Sequence, residues 1–401
     1  MTKKDTQPTR YALVILLGTM MAMGPLAMAM YLSAIPTIAK LMQADIDLIQ
    51  QSLTVYLLGF AGSQLIFGPV SETTGRRPII LCALILYIVS SLICSYANSA
   101  PQLISFRFTQ GLSSGAISAM VLLVLNDRYV GNQVIRNYSL AFSVMTLATI
   151  SSPSIGALVI QMASWQTIFQ LLAAVGVIVL AMTSIYLPES LNKSQRQRLN
   201  LKRLAQNYRT VLNHRHAMGN ILSGSFAYAY LFAFVSGSVF LYMEHYQLSA
   251  GLYTLLLAII NTMQVIFSWI NVRITGRYRP DQIVVFATTQ ITLASMVILL
   301  LISSRADSVI VVTAIFAYSI GMIALIAGNT APAAIDPFIH EAGTAAGLYG
   351  GGRFIISSFA AGGVGLLQNG SPLPMMAIMV ACGVLSFATY RYLGGTATSN
   401  N

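Results

Sequence analysis

The stretch GPVSETTGRRPII, Gly68 to Ile80, gathers Glu72, Arg76 and Arg77 in a chain of which only 8% is charged. A guanidinium there can bind a carboxylate or the C-terminal carbonyls of a neighbouring helix. Gly68 and Gly75 allow close backbone approach and positive φ, so the segment is expected to be a tight loop. Contacts of this kind form in one conformation and break in another, which suggests a conformational latch. The alternative is that Arg76 and Arg77 only fix the orientation of the chain.

Two further arginines, Arg107 and Arg353, lie inside apolar runs. A charge at such a depth costs about 2.5 to 3.5 kcal/mol on insertion scales, so each must face the interior and find a partner. Each is either a coupling or substrate residue or a structural arginine satisfied by carbonyls. The acids Asp127, Glu244 and Asp336 fall near the ends of apolar runs and read as solvated loop residues, with proton carriage as the other possibility. His214, His216, His245 and His340 are expected in loops. Cys82, Cys94 and Cys382 lack metal or disulfide spacing, so no metal and no cofactor is expected. Polar and aromatic residues within apolar runs could line a cavity: Tyr31, Tyr56, Gln64, Gln110, Tyr228, Tyr230, Asn261, Gln264, Asn329 and Tyr349. Core packing explains aromatics equally well.

The elements that must position these residues follow from composition. With 401 residues, 56% hydrophobic and a mean hydropathy of +0.72, the chain has too little polar surface for a soluble globule. Twelve apolar segments are long enough to cross a bilayer: 11–34, 49–70, 79–97, 102–125, 138–161, 165–187, 218–243, 251–272, 282–303, 308–330, 344–367 and 373–393. Backbone in lipid must satisfy its own hydrogen bonds, so these are helices, and the fold is expected to be an all-α polytopic membrane protein. A cleavable signal peptide is not expected.

The polar stretch after the sixth segment divides the helices into two halves, 1–187 and 218–401, joined by a linker at 188–217. Within it LNLKRLAQNYRTVL has the spacing of an amphipathic surface helix, or is simply a solvated linker. The two halves carry a short repeat: Gly75-Arg76-Arg77-Pro78 returns as Gly276-Arg277-Tyr278-Arg279-Pro280, displaced by 276 − 75 = 201 residues. Such a repeat is the plan of transporters that rock two bundles around a central site. The net charge of +11 does not indicate nucleic acid, because 18 of the 22 Lys and Arg fall on one side of the predicted spans. They include Lys3, Lys4, Arg10 and the run from Lys193 to Arg215. By the positive-inside rule both termini are expected to be cytoplasmic.

GPVSETTGRRPII resembles the signature loop of the major facilitator superfamily, Gly-x-x-x-Asp-x-x-Gly-Arg-Arg/Lys, with Glu72 for the usual Asp. LISFRFTQGLSSGA resembles that superfamily's second motif through Arg107, Gln110, Gly111 and Gly115. ATISSPSIGAL resembles its antiporter motif, keeping Pro153 and Gly156 while Ala148, Ser152 and Ala157 replace glycines. LAMAMYLSAIP, SWQTIF, YMEHYQLS and AGTAAGLYGGGRF are similar to the Bcr/CflA group of drug-resistance exporters. The resemblance implies twelve helices in two six-helix halves and a bacterial inner-membrane exporter of small amphipathic compounds. It further implies alternating access driven by protons, a monomer in the lipid bilayer, and no enzymatic activity. For Arg107 it implies a part in proton coupling.

One departure bears on substrate charge. The group carries an acid in the first helix, in the pattern Leu-x-x-Asp-x-Tyr-Leu-Pro, and Ala29 stands at that position. Its Arg-Asp pair after the fourth span here reads Asn126-Asp127. Without the first-helix acid, Arg107 and Arg353 are the only charges expected within the hydrocarbon region. The alternative substrate is therefore an anionic or zwitterionic metabolite, such as a siderophore or amino acid. A non-transporting receptor and an intramembrane enzyme are the readings from other classes.

Overall fold

Leu13, Val14, Leu17, Met20 and Met21 begin a run of buried apolar residues that continues through the first long helix, and later spans each bury part of their surface against neighbours. The computed structural model describes residues 7–192, 196, 201–367 and 370–394; Lys3, Lys4, Lys193 and Arg198 of the basic set lie outside the described residues. The described elements are helical, with one isolated bridge between Thr275 and Tyr278.

In chain order the helices are α1 (Gln7–Leu32), α2 (Ile35–Leu41), α3 (Ile46–Thr74), α4 (Arg76–Ser95), α5 (Ala100–Arg128), α6 (Asn132–Met162) and α7 (Gln166–Tyr186). There follow α8 (Leu201–Asn213), α9 (Arg215–Val239), α10 (Ala250–Ile274), α11 (Pro280–Ser303), α12 (Val309–Ile335), α13 (Ala342–Leu366) and α14 (Leu373–Thr389). Short π-helical segments, Phe240–His245 and Tyr390–Gly394, extend α9 and α14. Eleven described helices are long and apolar enough to span a membrane. The 25-residue α13 is long enough as well, but its glycines and Arg353 lower its hydropathy. The fold is thus polytopic and all-α.

Contacts group the chain into two units. Unit 1 comprises residues 1–130, 140–204 and 340–347, and unit 2 comprises 131–139, 205–339 and 348–401. Helices α6 and α13 each begin in one unit and continue in the other. In unit 1, α5 packs on α3, α4 and α1, and α7 packs on α4 and α1. Gly111 and Gly115 of α5 lie against the Tyr56 and Phe60 carbonyls of α3, where a β-carbon would collide with backbone. Such small residues are what allow helices to approach closely when lipid gives no hydrophobic drive. In unit 2, α10 packs on α12, α9 on α12 and α14, and α11 on α12 and α14. Tyr230, Phe234, Phe316 and Ile320 belong to its apolar core. Helix α8 is amphipathic as its spacing predicts: Val211 is buried while Lys202, Arg203 and Arg209 are exposed.

The structure corrects the expectation of a looped GPVSETTGRRPII. Helix α3 runs to Thr74, α4 starts at Arg76, and the break is Gly75 alone, at φ +99°. Pro69 and Gly68 sit inside α3, so Gly68 serves close approach rather than turning. His216 lies within α9 and His245 within a π-helical segment, not in loops.

Candidate functional site

Placing the whole reversal at Gly75 brings the Arg76 side chain back against the ends of α3 and α5. Its Nη1 donates to Ser71 Oγ, its Nε to Asp127 Oδ2 at 3.2 Å, and its backbone N–H to Glu189 Oε1 at 2.9 Å. Arg76 is 2% exposed and the Asp127 side chain 13%. Asp127 is therefore not a solvated loop acid: it belongs to the last turn of α5, where it also accepts from Ser190 Oγ at 2.7 Å. Arg77 donates to the carbonyl of Ser184, in the last turn of α7, at 2.8 Å. Basic groups favour that end of a helix.

Glu189 is a residue that sequence reasoning missed. Its carboxylate accepts from the N–H groups of Arg76, Ser190 and Leu191, and it pairs with Arg196 at 3.3 Å. It stands where a β-carbon on Gly75 would fall. The motif is thus tied to the start of the linker by a residue 113 positions further on, and no local pattern announces it.

Glu72 is 5% exposed, and its Oε1 accepts from the backbone N–H of Gly343 at 2.7 Å, at the start of α13. The partner is a peptide N–H at the positive end of a helix, a favourable place for a carboxylate. Gly68 makes the approach possible, because a β-carbon there would overlap the Gly343 carbonyl. Unit 2 holds the counterpart suggested by the repeat. Gly276 has φ +93°, matching Gly75. Ser268 Oγ donates to the Ser139 carbonyl at 2.6 Å, Asn271 Nδ2 to Ser139 Oγ at 2.8 Å, and Arg136 Nη2 to the Thr275 carbonyl at 3.0 Å. Asn329 joins by donating to Asn271 Oδ1 at 2.9 Å. The clasp in unit 1 is ionic and the one in unit 2 is largely neutral.

Arg107 is completely buried in unit 1 within a cage of rings. Its guanidinium carbon lies 4.5 Å from the Tyr31 centroid, 4.3 Å from Tyr56 and 6.0 Å from Phe169. Hydroxyl bonds hold the rings in place: Tyr56 donates to the Gly24 carbonyl at 3.0 Å, and Tyr31 to Ser52 Oγ at 2.8 Å, since Ser52 itself donates to the Ile49 carbonyl. Arg107 Nη1 donates to the Ala27 carbonyl at 3.2 Å and to Gln110 Oε1 at 2.5 Å. Its Nε and Nη2 have no partner. An unmet buried donor costs about 1 to 3 kcal/mol, whereas a desolvated cation over a ring gains about 2 kcal/mol. The two near rings therefore offset much of the cost, yet hydrogen-bonding capacity remains unspent.

Arg353, 7% exposed in unit 2, repeats the theme with other partners. Its guanidinium carbon is 4.4 Å from the Tyr228 ring, 5.8 Å from Tyr349 and 5.5 Å from Phe354. It also interacts with the Tyr138 hydroxyl. Nε and Nη1 are buried without a partner. Tyr349 is pinned by Thr330 at 3.1 Å and lies against Gly224.

The remaining candidates divide. Tyr230 donates to Ser319 Oγ at 3.0 Å inside the apolar core. Asn261 donates to its own helix at Leu257, and the buried Gln64 has a free Nε2. Glu244 and Asp336 are exposed. Pro153 lies inside α6 and offers its carbonyl to Ser33 Oγ at 3.3 Å; a β-carbon on Gly156 would meet the Met30 carbonyl at 2.6 Å. These two residues bring α6 close to α1. Among the described residues no cluster of His, Cys, Asp or Glu has metal-binding geometry.

The profile of the Major Facilitator Superfamily matches residues 15–361. The chain is 30% identical over 387 residues to the uncharacterized MFS-type transporter YdgK of Bacillus subtilis, covering 96% of each. It is 27% identical over 391 residues to the bicyclomycin resistance protein homolog of Haemophilus influenzae, covering 97% of this chain and 98% of the relative. Among solved structures, the proton:xylose symporter XylE superimposes with a TM-score of 0.74 at 12% identity, over 95% of this chain and 94% of that one. That last likeness is one of fold alone. The family profile and the relatives that span the whole chain agree: the chain belongs to the Major Facilitator Superfamily of membrane transporters.

Proposed function

We propose that this transporter is a monomeric exporter in a bacterial inner membrane, with both termini cytoplasmic, which moves small amphipathic compounds outward by alternating access. The observation that carries the reading is Arg107: a cation wholly buried in an aromatic cage, with two donors unspent. A membrane protein retains such a group where a ligand or a switch uses it. The name of the Haemophilus relative supports a drug-like substrate, and the domains follow as two six-helix halves, 1–187 and 218–401, around the linker 188–217.

Gly68, Glu72, Gly75, Arg76 and Arg77 act as the latch in this reading. The Glu72 carboxylate holds the start of α13, while Arg76 and Arg77 fasten α4 to α5 and α7. Proton coupling rests on the resemblance, since Ala29 replaces the expected acid; Asp127 and Glu72 are the acids the latch itself contains. A second reading, favoured by the unpaired donors of Arg107 and Arg353, is export of anionic or zwitterionic metabolites.

The test is uptake by inside-out vesicles of a panel of cationic, neutral and anionic compounds, with and without an imposed proton gradient. Arg76→Ala and Gly75→Val should abolish uptake while the protein stays inserted. Full uptake by both variants would reduce the motif to a topology signal, and no uptake of any compound by the wild type would sink the exporter reading.

A further inference from the structure

The seam between α9 and α13 in unit 2 concentrates hydrogen-bond donors that nothing satisfies. Arg353 supplies Nε and Nη1; Ser357, one turn further along α13, supplies a buried hydroxyl; and Ser225 of α9 supplies another, all without partners. Ser225 faces α13, with its Oγ 3.5 Å from where a β-carbon on Gly352 would stand. Tyr228, one turn beyond Ser225, stacks its ring on the Arg353 guanidinium. Among the described residues no Asp or Glu pairs with Arg353.

The composition of this group selects its ligand. A fixed cation with two free N–H donors and two nearby hydroxyls is complementary to a planar oxyanion, which a guanidinium binds through paired bonds. The rings of Tyr228, Phe232 and Phe354, tilted or edge to face with centroids 5.3, 5.6 and 6.2 Å apart, offer an apolar aromatic wall beside it. Tyr228 and Phe232 are half-buried, so the cage is not sealed on that side. Arg107 differs here, because the residues around it, Tyr31, Tyr56 and Phe169, are all buried to within 1%.

We propose that Arg353, with Ser225, Ser357 and Tyr228, forms a binding site for the carboxylate of an aromatic or amphipathic organic acid. This rests on the exporter reading for its physiological meaning and narrows the substrate class from amphipathic compounds in general to those that carry a carboxylate. A lipid phosphate shares the oxyanion chemistry, so the measurement needs a bilayer free of anionic lipid.

The full chain in phosphatidylcholine nanodiscs would be titrated calorimetrically with benzoate and 1-naphthoate, and with the corresponding amides. The expected result is carboxylate binding at least tenfold tighter than amide binding, naphthoate tighter than benzoate, and competition by neither amide. Arg353→Gln should reduce carboxylate affinity at least tenfold. Arg353→Lys should recover only part of it, and the double change Ser225→Ala, Ser357→Ala should weaken it severalfold, which keeps the test decisive if the glutamine variant misfolds. Equal binding of acids and amides, unchanged affinity in Arg353→Gln, or no carboxylate binding by the wild type would each overturn the site. Displacement of naphthoate by added phosphatidylglycerol vesicles, with naphthoate itself no tighter than its amide, would assign the seam to lipid and also overturn it. Uptake of tetraphenylphosphonium by inside-out vesicles judges the exporter reading separately: uptake with no carboxylate binding rejects the site alone, and binding without uptake of any compound rejects export alone.

Discussion

Replacing Gly68 by alanine tests the clasp between α3 and the start of α13. In an ordinary helix interior the change would favour folding by about 0.8 to 1.0 kcal/mol through helix propensity. Here the new β-carbon would lie 3.1 Å from the Gly343 carbonyl carbon, with the carbonyl oxygen closer still. Carbon atoms settle about 3.5 to 4.0 Å apart, so the two backbones must part by roughly 0.4 to 0.9 Å. Added to the 2.7 Å bond between Glu72 and the Gly343 N–H, that gives about 3.1 to 3.6 Å, at or beyond the limit of a hydrogen bond. A bond to a charged group contributes about 1.5 to 3 kcal/mol, and 1.4 kcal/mol is about tenfold. Hydrogen exchange at Gly343 should therefore accelerate roughly 10- to 150-fold, and transport should fall. Glu72→Gln, which keeps the shape but accepts as a neutral group, should give a smaller acceleration. Wild-type protection at Gly343 together with undiminished transport in Gly68→Ala would refute the reasoning.

Arg107→Ala should remove transport and Arg107→Lys restore little, because an ammonium cannot span Ala27 and Gln110 while lying flat between Tyr31 and Tyr56; normal transport by the alanine variant assigns Arg107 to structure alone. Ala29→Asp should move preference toward cations in the vesicle panel, since a new carboxylate attracts a cation by about 4 kcal/mol at 4 Å for an effective dielectric of 20, before desolvation is subtracted; proton-driven export of lipophilic cations by the wild type would rule this out. Burial tends to raise the Asp307 pKa, but the bond from His245 at 3.0 Å, a bond from Tyr246, one from the Asp307 backbone N–H and the charge of His245 together outweigh it and hold the carboxyl below its ordinary value. A depressed folded pKa contributes stability above the unfolded pKa, about 3.9, and loses it as pH falls through the folded value. The melting temperature should thus drop below about pH 4 in the wild type and less in Asp307→Asn, and identical acid profiles would count against the pair.

Hydropathy alone located the spans, because lipid leaves a helix no other way to satisfy its backbone. The same physics leaves α13 with the weakest apolar signal, since its glycines and arginine dilute it. At the site, Arg76 and Arg77 are legible as a pair by their rarity, and a carboxylate or the C-terminal carbonyls of a neighbouring helix as the kind of group they bind. The identity of those partners is not legible: Glu189 lies 113 residues from Arg76, and the group that Glu72 accepts from is the backbone N–H of Gly343, which no residue type encodes. Tyr31 and Tyr230 look alike in sequence, each a tyrosine within an apolar run, yet one stacks on Arg107 and the other fills a core. The difference is rotation about a helix axis, which is set by packing. Asp127 was misjudged for a related reason: its position near a span end suggested water, whereas the buried Arg76 claims it.

The strip of residues 340–347 that completes unit 1 has a consequence for how the chain is made. Glu72 and the N–H that holds it are separated by 271 residues. A ribosome adding about 5 to 20 residues per second needs roughly 14 to 54 s to cover that interval. Throughout it the carboxylate lies at the end of a finished α3 with that N–H not yet synthesised, and unit 1 stays open along that edge while four further spanning helices are inserted after its last one. The first unit to be translated is in this sense among the last to be closed, and any interruption of synthesis before Gly343 leaves behind a bundle with an exposed acid and an unfilled groove, the kind of surface by which quality-control machinery recognises an unfinished membrane protein.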